Sequence, residues 1–285
     1  MNSLRETDAH QRAKAAILNG CAQVGYTPQS EAVGGGWRAD VLAARGGVRI
    51  AFEVQWSPQK LRETLLRQER YADDGVRGCW FFRQPPSALR AAEDPAARRD
   101  LPLFHLFANA DGTFVVRLGG RLTPLDVFVA ALLGSRVRFC GEAAAAEAQK
   151  AAFEFYPLRC DACGRVGHVQ RLKPPILARC GHRAALDQDS AFVAARDEFL
   201  AAAHQAAAND PALTPTRFSA VAGGALAACP HCGAAYPERR VALAGYGEQP
   251  FRTLTIEIRL RRPLRLPSAH WCFPVEGGFC CPPGG

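Results

Sequence analysis

The sequence predicts an α/β core followed by a smaller, cysteine-organised domain. Two observations carry this: segments of helical and strand periodicity alternate through roughly the first half, and two Cys-x-x-Cys-Gly motifs lie in the second. A chain of 285 residues can bury a sizeable core and divide into one or two domains. The expected domains are 1–140 and 141–285.

The elements follow in order. Thr7 to Val24 places Ala13, Ile17, Leu18 and Cys21 at helical spacing, and Gly25 ends the run. Trp37 to Ala43 and Val48 to Gln55 read as strands joined by a tight turn across Arg45-Gly46-Gly47. Ser57 and Pro58 form a helix start, because Ser can cap and Pro tolerates the first turn; that helix runs through Leu61, Leu65 and Tyr71 to Gly75. Val76 to Phe82 is then a buried strand. Leu103 to Phe107 and Phe114 to Leu118 pair around Asn109-Ala110-Asp111-Gly112, and Pro124 to Leu133 is a helix.

Beyond the core, the alanine-rich stretch Glu142 to Ala152 predicts a connecting helix. A long insertion, Arg183 to Gly224, separates the two cysteine motifs and contains a helix from Ala191 to Ala208. Leu254 to Leu260 alternates strictly and reads as a strand. The tail from His270 to Gly285, rich in Cys, Gly and Pro, receives no assignment.

The polar, charged start from Met1 to Lys14 is followed by no apolar signal segment, and no window offers about 18 uncharged apolar residues. A cytoplasmic protein with no membrane partner is therefore expected. The net charge of +8 suits a polyanionic partner or an ordinary solubilising surface equally.

The chemistry concentrates on the hairpin. Strand alternation puts Glu53 and Gln55 on one face, with Val48, Ile50, Phe52 and Val54 toward the core. Asp40 sits in the apolar segment Trp37-Arg38-Ala39-Asp40-Val41-Leu42, and hairpin pairing can bring it close to Glu53. Two adjacent carboxylates repel, and a divalent cation such as Mg²⁺ relieves that repulsion while leaving room for phosphate oxygens. The plainer alternative pairs Asp40 with Arg38 or Arg49 and leaves Glu53 on a solvent face.

These residues carry a family resemblance: His10 and Lys14, then Glu31, then Arg38-Ala39-Asp40-Val41-Leu42, then Ala51-Phe52-Glu53-Val54-Gln55-Trp56-Ser57-Pro58, then Arg67 with Tyr71 before Gly75. In this order, from His10 to about Leu133, they resemble the nuclease domain of the competence protein CoiA-like family, a branch of the PD-(D/E)xK superfamily. The resemblance implies a restriction-endonuclease-like core, a mixed sheet flanked by helices. It also implies hydrolysis of DNA phosphodiester bonds, single-stranded or duplex, in DNA processing or uptake. Asp40 and Glu53 look like ligands of Mg²⁺ or Mn²⁺, with Glu31 either a further ligand or a turn-facing surface residue. Gln55 stands where the superfamily usually has lysine, and a neutral amide stabilises developing charge less well. Lys14, then His10 or Lys60, could supply the missing cation; a surface role for each is the alternative. Arg67 and Tyr71 are candidate nucleic-acid contacts.

Cys160-Asp161-Ala162-Cys163-Gly164 and Cys229-Pro230-His231-Cys232-Gly233 share one design. Two intervening residues let both thiolates point at one ion, and the glycine permits the turn. Four such ligands suit tetrahedral Zn²⁺, and the pair resembles a zinc ribbon with a long insertion. Cys180-Gly181-His182 offers competing ligands, a second site, or simply a buried thiol beside a surface histidine. Cys21, Cys79 and Cys140 read as core thiols, while Cys272, Cys280 and Cys281 have no reading. Arg259, Arg261, Arg262 and Arg265 either neutralise phosphates or guard a strand edge. The alternative to an enzyme is a non-catalytic, zinc-containing nucleic-acid-binding protein in which Gln55 marks a decayed active site.

Overall fold

A computed structural model describes residues 8–86, 98–119, 121–173, 176–184, 193–221, 224–261, 264–273 and 281. Ala191, Phe192, Arg262 and Cys280 lie outside these. Among the described residues no helix is long and apolar enough to cross a membrane.

Two compact units emerge. The first comprises 1–144 with two later segments, 178–182 and 267–285; the second comprises 145–177 and 183–266. The expected cut at 140/141 lies close to the first of these limits. The segments 178–182 and 267–285, expected in the second domain, belong to the first unit.

The first unit is the mixed α/β structure expected. Helix α1 (Asp8–Gln23) leads to β1 (Thr27–Val33), β2 (Arg38–Arg45), β3 (Val48–Gln55), α2 (Leu61–Asp73), β4 (Arg77–Phe82), β5 (Leu103–Ala108), β6 (Phe114–Leu118), β7 (Arg121–Pro124), α3 (Leu125–Leu133) and β8 (Arg138–Ala144). The seven strands β1 to β7 form one sheet in sequence order. β3, β4 and β5 run parallel, and the remaining neighbours are antiparallel. β4 is central and apolar nearly throughout, as a strand covered on both faces must be.

Two apolar layers cover the sheet. On one face Ala13, Ile17 and Cys21 of α1 and Phe128 of α3 pack against Phe52 and Phe81. On the other, Leu61, Leu65 and Tyr71 of α2 meet Trp80, Phe82 and Leu103. Large side chains buried this way each contribute roughly 1.5–3 kcal/mol. The helices α1 and α3 approach so closely that a methyl group at Gly20 would lie 2.4 Å from the Asp126 carbonyl oxygen, so only glycine fits there.

The β2–β3 hairpin turns on Gly46 and Gly47, both at positive φ, as the tight turn required. Its strands pair from Arg45↔Val48 to Val41↔Phe52. The α2 helix begins at Leu61, after Lys60, rather than at Ser57-Pro58, and no side chain caps it. The carbonyl of Ser57 instead accepts a hydrogen bond from the Gln55 amide at 2.9 Å.

The second unit contains β9 (Ala148–Arg159), β10 (Val166–Lys173), β11 (Ile176–Leu177), β12 (Arg183–Ala184), α4 (Val193–Ala208), β13 (Arg217–Val221), β14 (Gly224–Ala228), α5 (Glu238–Leu243) and β15 (Arg252–Arg259). β9 is the centre of a three-stranded antiparallel sheet between β10 and β15. The helix expected over Glu142 to Ala152 does not form; β8 and β9 occupy that stretch. Alanine's helix propensity is a weak preference, and ladder pairing of Ala148, Lys150 and Ala152 with β15 overrides it. The unassigned tail begins within β16 (Arg265–Cys272), which pairs with β8.

Candidate active site and cysteine sites

Next to the Val41↔Phe52 pair of the hairpin, the two acidic residues are engaged by different helices. Asp40, on β2, accepts a hydrogen bond from the Val54 backbone N–H at 2.8 Å and one from His10 Nε2 of α1 at 3.2 Å. Burial tends to raise its pKa, but these donors and the positive charges of His10 and Lys14 hold it below the ordinary carboxylate value. Neither Arg38 nor Arg49 takes the part of its partner: Arg38 binds Glu31 and Arg49 binds Asp74.

Glu53 lies inside the unit rather than on a solvent face, at 2% exposure. Its carboxylate meets two residues one turn apart on α2: Arg67 Nη2 at 2.6 Å and the Tyr71 hydroxyl. Arg67 also stacks over the Trp80 ring, and both Arg67 and Tyr71 donate to the Arg38 carbonyl. Burial pushes the Glu53 carboxyl up to about 7; the Arg67 guanidinium opposes that rise and the charge of Asp40 adds to it. Tyr71 is fully buried, which makes it a support for Glu53 rather than a surface contact for nucleic acid.

Glu31 is the departure that sequence reading missed. It sits within β1 rather than in a turn, at φ 53, in the left-handed region that non-glycine residues seldom adopt. Such a conformation costs on the order of 1–3 kcal/mol and persists where surrounding contacts enforce it. Here the carboxylate is held by Lys14 of α1 and by Arg38 Nε at 2.6 Å. Burial works to raise the Glu31 pKa, but these two cations bring it below its ordinary value. Lys14 is itself buried, and with His10 it occupies neighbouring turns on one side of α1, so that helix supplies positive charge to the hairpin.

The structure therefore brings His10 to Asp40 and Lys14 to Glu31, and joins Arg67 and Tyr71 to Glu53. The Gln55 amide is turned to Ser57. Among the described residues, groups of three or more His, Cys, Asp or Glu ligand atoms within 4.8 Å of one another consist of cysteines and one histidine and include no carboxylate, so Glu31, Asp40 and Glu53 are not drawn into one cluster. Each carboxylate has a cation beside it.

A pH dependence of stability follows from Glu53. Its carboxyl ionises at an ordinary 4.5 when unfolded and at about 7 when folded, so the unfolded chain loses its proton first. The contribution is present in full below 4.5 and is lost as pH rises to about 7, by about 3 kcal/mol. Urea unfolding without added divalent cation is expected to show this decline in wild type and not in Glu53→Gln. Parallel stability curves for the two would refute the assignment.

In the second unit, Cys160, Cys163, Cys229 and Cys232 converge within 4.8 Å. Cys160 Sγ lies 3.7 Å from Cys232 Sγ, and Cys163 Sγ lies 3.7 Å from Cys229 Sγ. A tetrahedral ion with Zn–S bonds of about 2.3 Å spaces its sulfurs by about 3.8 Å. The two knuckles repeat each other: Gly164 N–H donates to the Cys160 carbonyl and Gly233 N–H to the Cys229 carbonyl, with both glycines at positive φ. Burial would raise the Cys229 thiol, yet backbone N–H groups of Cys232 and His231 bring it below the usual thiol range. These cysteines could hold zinc.

Cys21, Cys79 and Cys140 are buried thiols as expected, and burial pushes Cys21 up to about 12. Cys180 is not beside a surface histidine: His182 is buried, and Cys180 lies with His270, Cys272 and Cys281 in a second four-residue group. Arg259 is exposed on β15, and Arg261, also exposed, donates its backbone N–H to Glu198.

Comparison with known proteins bears on the first unit. The family described as competence protein CoiA, nuclease-like domain, matches residues 6–91, less than a third of the chain and the stretch that holds His10, Lys14, Glu31, Asp40, Glu53 and Gln55. A crystal structure described as a protein of unknown function, AF1548, is 13% identical with a TM-score of 0.25; the match covers 34% of this chain and 58% of that one. No curated protein matches the chain. Residues 6–91 thus match the model of a CoiA nuclease-like domain, and the same chain carries cysteine clusters that could hold zinc.

Proposed function

We propose that the protein is a metal-dependent nuclease that hydrolyses DNA phosphodiester bonds at the β2–β3 hairpin. The observation that carries this is Glu53, a carboxylate buried among aromatic residues within reach of the Asp40 charge, inside a nuclease-like domain. A purely structural role gives little reason to keep an acid there, because an apolar residue of similar volume would avoid the cost of burying its charge.

The donor set fits a hard divalent cation. Asp40 and Glu53 offer carboxylate oxygens, the ligands that Mg²⁺ and Mn²⁺ prefer, and Glu31 is a third acid on the neighbouring strand. Bound by Asp40 and Glu53, such a cation would polarise the scissile phosphate and favour ionisation of the attacking water. In the reaction, water oxygen bonds to phosphorus, the phosphorus–oxygen bond to the leaving sugar breaks, and that oxygen ends protonated.

The protein's own side chains have separate parts. The Val54 N–H and His10 orient Asp40, while Tyr71 and Arg67 orient Glu53. Lys14 and Arg67 set positive charge beside the acids, where it would attract phosphate and stabilise charge developing on it. On this reading Lys14 would take the role that lysine commonly fills at the Gln55 position. The exposed Arg259 and Arg261 of the second unit would neutralise backbone phosphates, and four cysteines would hold structural Zn²⁺.

The test is incubation of wild-type protein with end-labelled single-stranded and duplex DNA, with Mg²⁺ or Mn²⁺ and in their absence. Cation-dependent cleavage supports the reading. Salt-dependent binding of either DNA without any cleavage would favour a non-catalytic nucleic-acid-binding protein, the alternative to which the turned-away Gln55 amide lends weight.

A further inference from the structure

We infer that Cys180, His270, Cys272 and Cys281 form a second zinc site, built into the unit that carries the acidic hairpin. All four are buried, and their ligand atoms lie within 4.8 Å of one another. Cys180 Sγ is 3.3 Å from His270 Nε2 and 3.9 Å from Cys281 Sγ, spacings close to the edge of a small tetrahedron around one ion. Three soft thiolates and one imidazole in that arrangement suit Zn²⁺.

The surroundings are organised as a metal site requires. His270 Nδ1 donates to the Ser268 carbonyl at 2.8 Å, which fixes the tautomer and leaves Nε2 toward the cysteines. The ring stacks on His182 at 4.2 Å between centroids, and His182 Nε2 meets Ser268 Oγ at 2.9 Å. Backbone N–H of Ala144 points at Cys281 Sγ at 3.3 Å, the kind of contact that stabilises a thiolate. The turn carrying Cys180 packs on Gly119: a methyl at Gly181, where φ is 81, would lie 1.8 Å from the Gly119 carbonyl oxygen. Backbone can approach that closely only with glycine on both sides.

The sequence pattern explains what the site would do. His270 and Cys272 are two residues apart on β16, hence on one face of that strand. Between them, Trp271 packs on Phe104 and Phe139, and the following Phe273 packs on Phe128. The strand thus turns aromatic side chains into the core of the first unit and metal ligands to its other side. Zinc there would tie three remote pieces of chain, at 180, 270–272 and 281, to the nuclease-like core. This inference is independent of nuclease activity and of the other cysteine group.

Zinc content tests it, measured on dialysed wild type, Cys160→Ser/Cys163→Ser and Cys272→Ser/Cys281→Ser. The expected contents are about two, one and one ions per chain. A Cys272→Ser/Cys281→Ser variant with the wild-type content would overturn the inference, as would a wild type whose zinc is all lost with Cys160 and Cys163. Should the tail variant not fold, X-ray absorption on wild type decides: both sites together give about 3.5 sulfurs and 0.5 nitrogen per zinc, whereas four sulfurs and no nitrogen contradict the second site. His270→Cys is expected to keep both ions and remove the nitrogen.

Discussion

If the hairpin is the proposed nuclease site, Asp40→Ala is expected to lower cation-dependent DNA cleavage by about a thousandfold or more while leaving the protein folded. The magnitude follows from the several kcal/mol that a bound cation supplies to charge stabilisation, each 1.36 kcal/mol being about tenfold in rate. Asp40 binds His10, which is half-buried, and the uncharged N–H of buried Val54, so removing the carboxylate leaves no deeply buried charge behind. Glu53→Gln should lose activity to a similar degree. It keeps an acceptor for the Tyr71 hydroxyl and removes the burden of an ionised group at 2% exposure, so at pH 8 it should be the more stable protein. Opposite effects of one substitution on rate and on stability are what a functional carboxylate gives. Cleavage measured at equal zinc content, alongside circular dichroism, checks both variants; full activity of folded Asp40→Ala would remove the hairpin from the mechanism.

Cys229→Ser is expected to unfold the second unit at moderate temperature and to leave the first unit's transition in place. Leu158, Val169, Ala227 and Tyr236 form a small apolar cluster with Cys160 and Cys229, with Cys163 packed against it, and this cluster alone offers little hydrophobic stabilisation. Binding of structural zinc in small cysteine domains is worth about 10–16 kcal/mol, and losing one thiolate forfeits a large part of it. Limited proteolysis should cut the variant within 145–266 while the wild type resists. Equal resistance would show that the knuckles hold their shape without metal.

The legible parts of the fold were those in which local pattern and tertiary partner agree. The period of α1, the Gly46-Gly47 turn, the apolar run of β4 and the strict alternation of β15 each serve a single geometry. The two cysteine knuckles were legible for the same reason, since two residues between thiolates and a following glycine already define the turn. Ala148 to Ala152 was not: nothing local in an alanine run reveals that β10 and β15 flank it. Residues close in space but far apart in sequence were hidden as well. Cys180, the histidine at 270 and Cys281 have no shared spacing, and only the return of β16 to the first unit joins them.

At the hairpin the sequence marked candidate residues without showing how they are held. Asp40 and Glu53 stood out as acids within apolar strands. Glu53's burial follows from α2 covering that face, and Tyr71 emerges as its support because the helix points the phenol inward. The left-handed Glu31 carries no sequence signal at all; glycine or asparagine would have announced such a backbone, and a glutamate conceals it.

The most direct test of the hairpin as a cation site is Mn²⁺ titration followed by electron paramagnetic resonance, on wild type and on Asp40→Ala/Glu53→Gln with equal zinc content. Saturable Mn²⁺ binding in wild type that the double variant loses while remaining folded is the expected result; equal binding by both proteins, or none by wild type, would remove the cation from the hairpin.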